Sequence, residues 1–107
     1  MEAKEINELV AKQLEFFESR MTFNVTYRVT ALQRLYRALK QHEQDILDAL
    51  QSDLGKSHSE GYMCELGPSL DEIRFQIAHA RKWSADRTVP THMANFSARS
   101  FVLQEPY

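Results

Sequence analysis

Apolar residues recur every three or four positions along most of this chain, which is the spacing of one face of an α-helix. Only three glycines and three prolines occur among its 107 residues, so few positions interrupt that pattern. The spacing predicts a mainly α fold with three to four amphipathic helices. The first helix is expected from about Glu2 to Arg20. Its apolar stripe consists of Ile6, Leu9, Val10, Leu14, Phe17 and Met21.

The second predicted helix, residues 25–54, is unusually long at roughly 45 Å. Either Thr22 or Asn24 can cap its start, and Gly55 stands where a left-handed residue often ends a helix. Bases fill its first half and acids its second half, which opposes the preference of the helix dipole. The charged residues are Arg28, Arg34, Arg37 and Lys40, followed by Glu43, Asp45, Asp48 and Asp53.

Two interpretations of the basic half of this helix stay open. It can be a patch for a phosphate-bearing partner, or a solvated surface whose charges pair with neighbouring elements. The net charge of −2 and the sequence pI of about 6.1 favour the second interpretation. They also argue against broad electrostatic binding to nucleic acid.

Two capping boxes follow, at residues 57–60 (Ser-His-Ser-Glu) and 69–72 (Ser-Leu-Asp-Glu). Gly67-Pro68 lies between them and predicts an interruption. We therefore expect a short helix over residues 59–66 and a longer one from residue 68 or 69 to residue 85. Asp71 and Glu72 are expected in the first turn of the longer helix, with Arg81 and Lys82 in its last turn.

The segment from Ser97 to Pro106 is the only one with convincing strand character, so a single C-terminal β-strand is predicted. A lone strand leaves backbone N–H and C=O groups unpaired, and the sequence shows no partner for them. The predicted organisation is a helical segment over 1–86, a connector over 87–96 and the strand over 97–107. The strand either pairs with another copy or belongs to a sheet that is missing here.

The remaining patterns point to no self-contained active site. His42-Glu43 begins like a zinc-protease helix, but Ile46 stands where the second histidine is required. His58, Glu60 and Cys64 do not share a helical face, so no metal site is predicted. The glycines form no phosphate-binding loop, so no cofactor site is predicted either.

Cys64 is the only cysteine and cannot form an internal disulfide. It is expected to be a small, partly buried apolar residue, because no cationic neighbour in sequence lowers its pKa. The chain shows no signal peptide and no long apolar run, which predicts a cytoplasmic location and no membrane segment.

An ordered set of segments resembles the N-terminus of the aldehyde dehydrogenase superfamily, in particular its class 3 branch of fatty and aromatic aldehyde dehydrogenases. Residues 13–17 (Gln-Leu-Glu-Phe-Phe) resemble the first helix of that branch, and residues 53–57 (Asp-Leu-Gly-Lys-Ser) resemble the turn after its second helix. Residues 100–107 (Ser-Phe-Val-Leu-Gln-Glu-Pro-Tyr) resemble the strand that enters its nucleotide-binding domain. Further matching positions are Arg28, Leu32, Glu60, Tyr62, Glu65, Leu66, Glu72, Ile73 and Trp83.

The resemblance implies a truncated part of an α/β fold, whose NAD or NADP site and catalytic residues lie beyond Tyr107. The fragment itself is then expected to bind no cofactor and to catalyse no step. The family's helix matching residues 57–66 borders the substrate entrance, which makes Tyr62, and less strongly His58 and Met63, candidates for lining it. A packing role for Tyr62 is an equal alternative. Gly67-Pro68 departs from many relatives, which carry larger residues there.

Two functional hypotheses follow. The first is the N-terminal segment of an NAD(P)-dependent aldehyde dehydrogenase, with a structural role in docking on the remainder of that chain. The alternative is a stand-alone helical interaction module, such as a dimer. Both predict a homo-oligomer or self-association, because the apolar stripes exceed what one small core needs.

Overall fold

The computed structural model describes residues 3–107, so the predicted helix start at Glu2 lies outside the described residues. The mainly α prediction is confirmed, and a short two-stranded sheet follows the helices. The helices are α1 Ala3–Glu18, α2 Val25–Gln41, α3 Glu43–Leu54, α4 His58–Gly61 and α5 Gly67–Trp83, with a π-helical turn at Tyr62–Leu66 and 3-10 turns at Met21–Phe23 and Met93–Asn95. The strands are β1 Arg87–Val89 and β2 Ser100–Val102.

The end of α1 and the start of α2 are set by local hydrogen bonds. The Ser19 hydroxyl donates to the Phe16 carbonyl at 2.5 Å, and Arg20 takes a left-handed conformation with φ 59°. This ends α1 two residues before the predicted Arg20. Asn24 then caps α2, because its side-chain oxygen accepts hydrogen bonds from two backbone N–H groups. They are those of Thr26 at 2.8 Å and Tyr27 at 3.3 Å.

The prediction of one long helix over residues 25–54 is wrong, because the chain bends at His42. His42 has φ −101° and ψ 20°, outside the α-helical region, although the hydrogen bonds on either side of it continue. The charge pattern explains the division. Lys40 lies in the last turn of α2 and Glu43 in the first turn of α3, so the two helix ends that meet at His42 each carry the charge that the helix dipole favours. Their side chains also pair at 2.7 Å across the bend.

The segment after α3 begins as predicted. Gly55 ends α3 with φ 67°, the left-handed conformation expected of a C-capping glycine. The Ser57 hydroxyl accepts a hydrogen bond from the Glu60 N–H at 3.2 Å. This confirms the serine half of the first capping box.

The predicted interruption at Gly67-Pro68 is wrong, because the helix continues through these residues after a π-helical turn. Gly67 keeps helical φ and ψ of −58° and −54°, and its N–H donates to the Tyr62 carbonyl five residues earlier. The wider turn accommodates Pro68, which has no N–H to donate and whose ring crowds the preceding turn. The second capping box is also wrong, since the Ser69 hydroxyl donates to the Glu65 carbonyl at 2.7 Å. Helix α5 therefore begins before the acids that were expected in its first turn.

The predicted single strand has a partner that the sequence did not reveal. Strand β2 pairs antiparallel with β1, with Thr88 opposite Phe101 and Val89 opposite Ser100. Strand β1 lies in the stretch assigned to the connector, where three residues are too few to show alternation. The Thr91 hydroxyl also donates to the Ser100 hydroxyl at 3.0 Å. The observed strand is shorter than the predicted 97–106.

The buried core is small. Its apolar members are Leu47 on α3, Leu66 in the π turn and Leu70 on α5. Helix α2 packs mainly on α5, while α3 packs on α4 and the π turn. The Cα radius of gyration is 20.4 Å, whereas a compact chain of this length would have roughly 13 Å. The described residues therefore form an extended assembly.

Helix α1 carries a row of apolar side chains that are about half exposed. Its main contacts are with the 3-10 turn at Met21–Phe23, and the Phe16 ring also meets Tyr27 of α2 at 6.0 Å between centroids. Four apolar side chains of α1 are between 46% and 56% exposed. We call Ile6, Leu9, Val10 and Leu14 the α1 apolar face.

Candidate functional site

The three residues predicted to border a substrate entrance lie close together in sequence, but their surroundings differ. Tyr62 begins the π turn and is 39% exposed, and Met63 beside it is 74% exposed. His58 begins α4, and its Nε2 lies 2.9 Å from Oδ1 of Asp48 on α3. His58 is thus held against a neighbouring helix, whereas Tyr62 and Met63 present free surface.

The Tyr62 ring rests beside the backbone of Gly67. A Cβ placed on Gly67 would lie 3.5 Å from Cε1 of the ring. On the side of α2, the Glu43 hydrogen bond and charge raise the pKa of Lys40, and the phenols of Tyr62 and Tyr36 add to that rise. The Tyr62 ring therefore lies against the start of α5, and the residue is 39% exposed.

An ion pair fastens the π turn to the loop before α4. The Lys56 ammonium donates to the Glu65 carboxylate, and this hydrogen bond is the largest cause of the raised pKa of Lys56. Cys64 lies in the same turn and is exposed, so the expectation of a partly buried thiol is wrong. Lys56 also feels the charge of Cys64, a spatial proximity that the linear sequence did not reveal.

The basic residues of α2 do not act as one patch. Lys40 is engaged by Glu43, while Arg28 and Arg37 line different cavities. The cavity at Arg28 measures about 310 Å³ and is also lined by Trp83 of α5 and Glu105 near the chain's last residue. Arg28 Nε is buried there without a hydrogen-bond partner. This dispersal favours the interpretation of a helix whose charges serve separate contacts.

Helix α5 carries an aromatic row that sequence analysis missed. The rings of Phe75 and His79 lie 4.1 Å apart between centroids, and those of His79 and Trp83 lie 5.2 Å apart. Their four-residue spacing places them on one helical face, and that spacing is the signal that could have revealed them. Trp83, at the end of this row, also lines the Arg28 cavity.

Within residues 3–107, no group of three His, Cys, Asp or Glu side chains has the arrangement needed to hold a metal ion. The same residues contain no helix long and apolar enough to cross a membrane. Tyr62 and Met63 are the accessible members of the predicted entrance, on a turn held by the Lys56–Glu65 pair, and neither lines the cavities at Arg28 and Arg37.

Comparison with known proteins places this chain in one family. The sequence model of the Aldehyde dehydrogenase family matches residues 1–107. The 4,4'-diaponeurosporen-aldehyde dehydrogenase of Staphylococcus aureus is 35% identical over 92 residues, which cover 86% of this chain and 20% of that protein. The aldehyde dehydrogenase family 3 member B1 of Homo sapiens is 32% identical over 93 residues, which cover 87% of this chain and 20% of that protein.

A solved structure, described as the substrate-bound state of Staphylococcus aureus AldH, superposes with a TM-score of 0.87 at 32% identity. The superposition covers 94% of this chain and 22% of that one. The chain thus spans about a fifth of the length of the relatives that it matches. It belongs to the aldehyde dehydrogenase family, and it corresponds to an N-terminal segment of the class 3 branch.

Proposed function

We propose that this chain is the N-terminal helical segment of an NAD(P)-dependent aldehyde dehydrogenase, which oxidises aldehydes to carboxylic acids. The observation that carries the proposal is the structural match to a substrate-bound dehydrogenase, with a TM-score of 0.87 over 94% of this chain. A relative from Canis lupus familiaris, 31% identical, is named as dimeric and NADP-preferring, so either NAD or NADP fits. When bound in the complete enzyme, that cofactor accepts the hydride from the substrate.

The segment itself has a structural role in this proposal. The nucleophilic cysteine, the general base and the cofactor site belong to the part of the enzyme beyond Tyr107, so residues 1–107 alone catalyse nothing and bind no cofactor. The support for this structural role is the length of the match, since the chain corresponds to only about a fifth of each relative. A cytoplasmic location is part of the same proposal, because a lone exposed thiol at Cys64 suits a reducing compartment.

The α1 apolar face supplies the docking surface. Its four side chains are about half exposed, and the chain is far more extended than a compact domain. We assign this face to contact with the remainder of the dehydrogenase chain, which removes it from water. In the isolated segment the same face drives self-association. Light scattering at rising concentration is expected to show a mass above that of the 12.5 kDa monomer, and a constant monomer mass would contradict this.

Tyr62 is proposed to line the substrate entrance, with His58 and Met63 in supporting positions. Tyr62 offers an accessible aromatic surface, and Met63 adds a flexible apolar side chain beside it. His58 contributes less, because Asp48 already engages its imidazole. An aromatic ring and a thioether suit the apolar tail of an aldehyde better than a charged group.

The second candidate function is a stand-alone helical interaction module that forms a dimer. The uncovered α1 apolar face is the observation that favours it. The coding sequence after Tyr107 discriminates between the two candidates. A Gly-Val-Val strand followed by a nucleotide-binding pattern supports the dehydrogenase, whereas a stop codon at that point supports the module.

A further inference from the structure

At Gly67 the backbone passes very close to the Tyr62 carbonyl and ring. Its N–H donates to the Tyr62 carbonyl, which closes the π turn. A Cβ added to Gly67 would lie 2.9 Å from that carbonyl oxygen, and 3.5 and 3.7 Å from two carbons of the Tyr62 ring. The first distance is shorter than any normal contact, and a backbone carbonyl cannot move aside as a flexible side chain can. Any other residue at position 67 must therefore displace the turn.

Displacement of this turn changes the direction of the Tyr62 side chain. Successive residues of an α-helix point about 100° apart around its axis. If the turn tightens so that position 67 bonds to a different carbonyl, Tyr62 rotates relative to α5 by an angle of that order. Met63 is carried with it, because it lies in the same turn.

Gly61 provides a contrast within the same helical segment. A Cβ added there would meet Leu47 Cδ2 at 3.3 Å and Leu50 Cδ1 at 3.4 Å, which are ends of flexible side chains. Gly61 is also helical, with φ −58° and ψ −41°. The same chemical change, Gly to Ala, thus meets movable atoms at one position and fixed backbone at the other.

We propose that Gly67 is a positioning residue for substrate binding: its missing side chain admits the π turn and gives the Tyr62 ring its place beside the α5 backbone. The inference rests on the proposed function, because it acts through Tyr62 at the substrate entrance. It adds to that function a residue that never touches substrate yet sets how tightly an aldehyde with a long apolar tail is held.

The experiment uses the complete dehydrogenase chain that carries this segment, with octanal and acetaldehyde as probes. Gly67→Ala, Gly61→Ala, Tyr62→Ala and the double variant Gly67→Ala/Tyr62→Ala are compared by KM and kcat. We expect Gly67→Ala to raise KM for octanal about tenfold, a factor within the range of a single lost apolar contact. KM for acetaldehyde and kcat should stay unchanged, and Gly61→Ala should behave like the unmodified enzyme.

The double variant separates positioning from general damage. If Gly67 acts through the Tyr62 ring, Gly67→Ala has no further effect on KM once Tyr62 is alanine. The role of Gly67 would be overturned if the two single-variant increases in KM add up in the double variant, or if Gly61→Ala raises KM as much as Gly67→Ala does. Either result would leave the proposed role of Tyr62 intact. If Tyr62→Ala leaves KM for octanal unchanged, the proposed entrance role of Tyr62 fails, and the inference fails with it.

Discussion

At the residue scale, Asn24 determines where α2 begins. Its side-chain oxygen accepts two hydrogen bonds from N–H groups that have no partner within the helix. We expect Asn24→Ala to lower the free energy of unfolding by about 1 kcal/mol. Urea unfolding followed by circular dichroism measures the change.

Two control variants test whether the lost cap causes the effect of Asn24→Ala. Asn24→Asp retains an acceptor and should leave stability nearly unchanged, and Asn95→Ala on an exposed turn should do the same. A loss in Asn24→Asp as large as in Asn24→Ala would show that the cap is not the cause.

Lys56 gives a pH dependence at the same scale. Its pKa is raised above 10.5, chiefly by the hydrogen bond to Glu65, so the folded state holds the proton more tightly than the unfolded state. The stabilisation is therefore complete below pH 10.5 and disappears as the pH rises through the higher pKa of the folded state. The difference in melting temperature between the unmodified chain and Lys56→Met should shrink above pH 10.5.

Arginine provides the matched control for Lys56, since it keeps its charge at any accessible pH. Lys56→Arg should retain its advantage over Lys56→Met above pH 10.5, where lysine loses it. Because the pair lies at the surface, with the Glu65 side chain 46% exposed, the effect is small, and a difference that grows with pH would contradict the assignment.

At the element scale, we expect the β1–β2 pair to open more readily than the packed helix α5. Each strand has three residues, and an isolated two-stranded sheet is marginally stable in water. We expect the amides of β1 and β2 to exchange with solvent much faster than those near buried Leu70 on α5. Hydrogen–deuterium exchange with mass spectrometry makes the comparison within one sample.

The same exchange measurement on the complete dehydrogenase tests why the pair exists. Strand β2 should gain protection there, if the rest of the sheet covers it. If β2 is protected equally in the isolated segment and in the complete dehydrogenase, then further strands of the enzyme do not pair with its edge.

Three of the helix caps, at Asn24, Gly55 and Ser57, were predictable from sequence, because local hydrogen bonds and backbone conformation decide them. The bend at His42 was missed because the apolar spacing continues across it, although the charge order marked the place. The π turn was missed because Gly67-Pro68 ordinarily signals an interruption. The close packing of Tyr62 on Gly67, which accompanies the continuous helix, is visible only in the structure.

The candidate site was predictable only in part. Tyr62 was identified through the family resemblance, since nothing in the local sequence separates a packing tyrosine from an entrance tyrosine. The ion pair between Lys56 and Glu65 joins residues nine positions apart, and Cys64 is exposed within the π turn. Neither depends on helical periodicity, so the sequence pattern carried no sign of them.

At the scale of the whole molecule, Leu→Ala substitutions should affect stability differently in the small core and on the uncovered α1 apolar face. Leu70→Ala removes a buried side chain and should lower the free energy of unfolding by about 2–5 kcal/mol. Leu14 is 56% exposed in the described structure, so Leu14→Ala should change stability by less than about 0.5 kcal/mol in the isolated segment at concentrations where it is monomeric.

The comparison then moves to the complete dehydrogenase. If the α1 apolar face docks on the remainder of that chain, Leu14→Ala should become clearly destabilising there, while Leu70→Ala remains so in both. A Leu14→Ala variant that is equally neutral in both chains would show that this face is not covered by the enzyme.

The central claim is that this chain is one part of an aldehyde dehydrogenase and cannot work without the rest. The most direct test is the rate of NADH or NADPH formation by the purified 107-residue chain with octanal, beside the complete chain at equal concentration. We predict no rate above the protein-free blank for the segment and steady turnover for the complete chain. Turnover by the 107 residues alone would contradict the account.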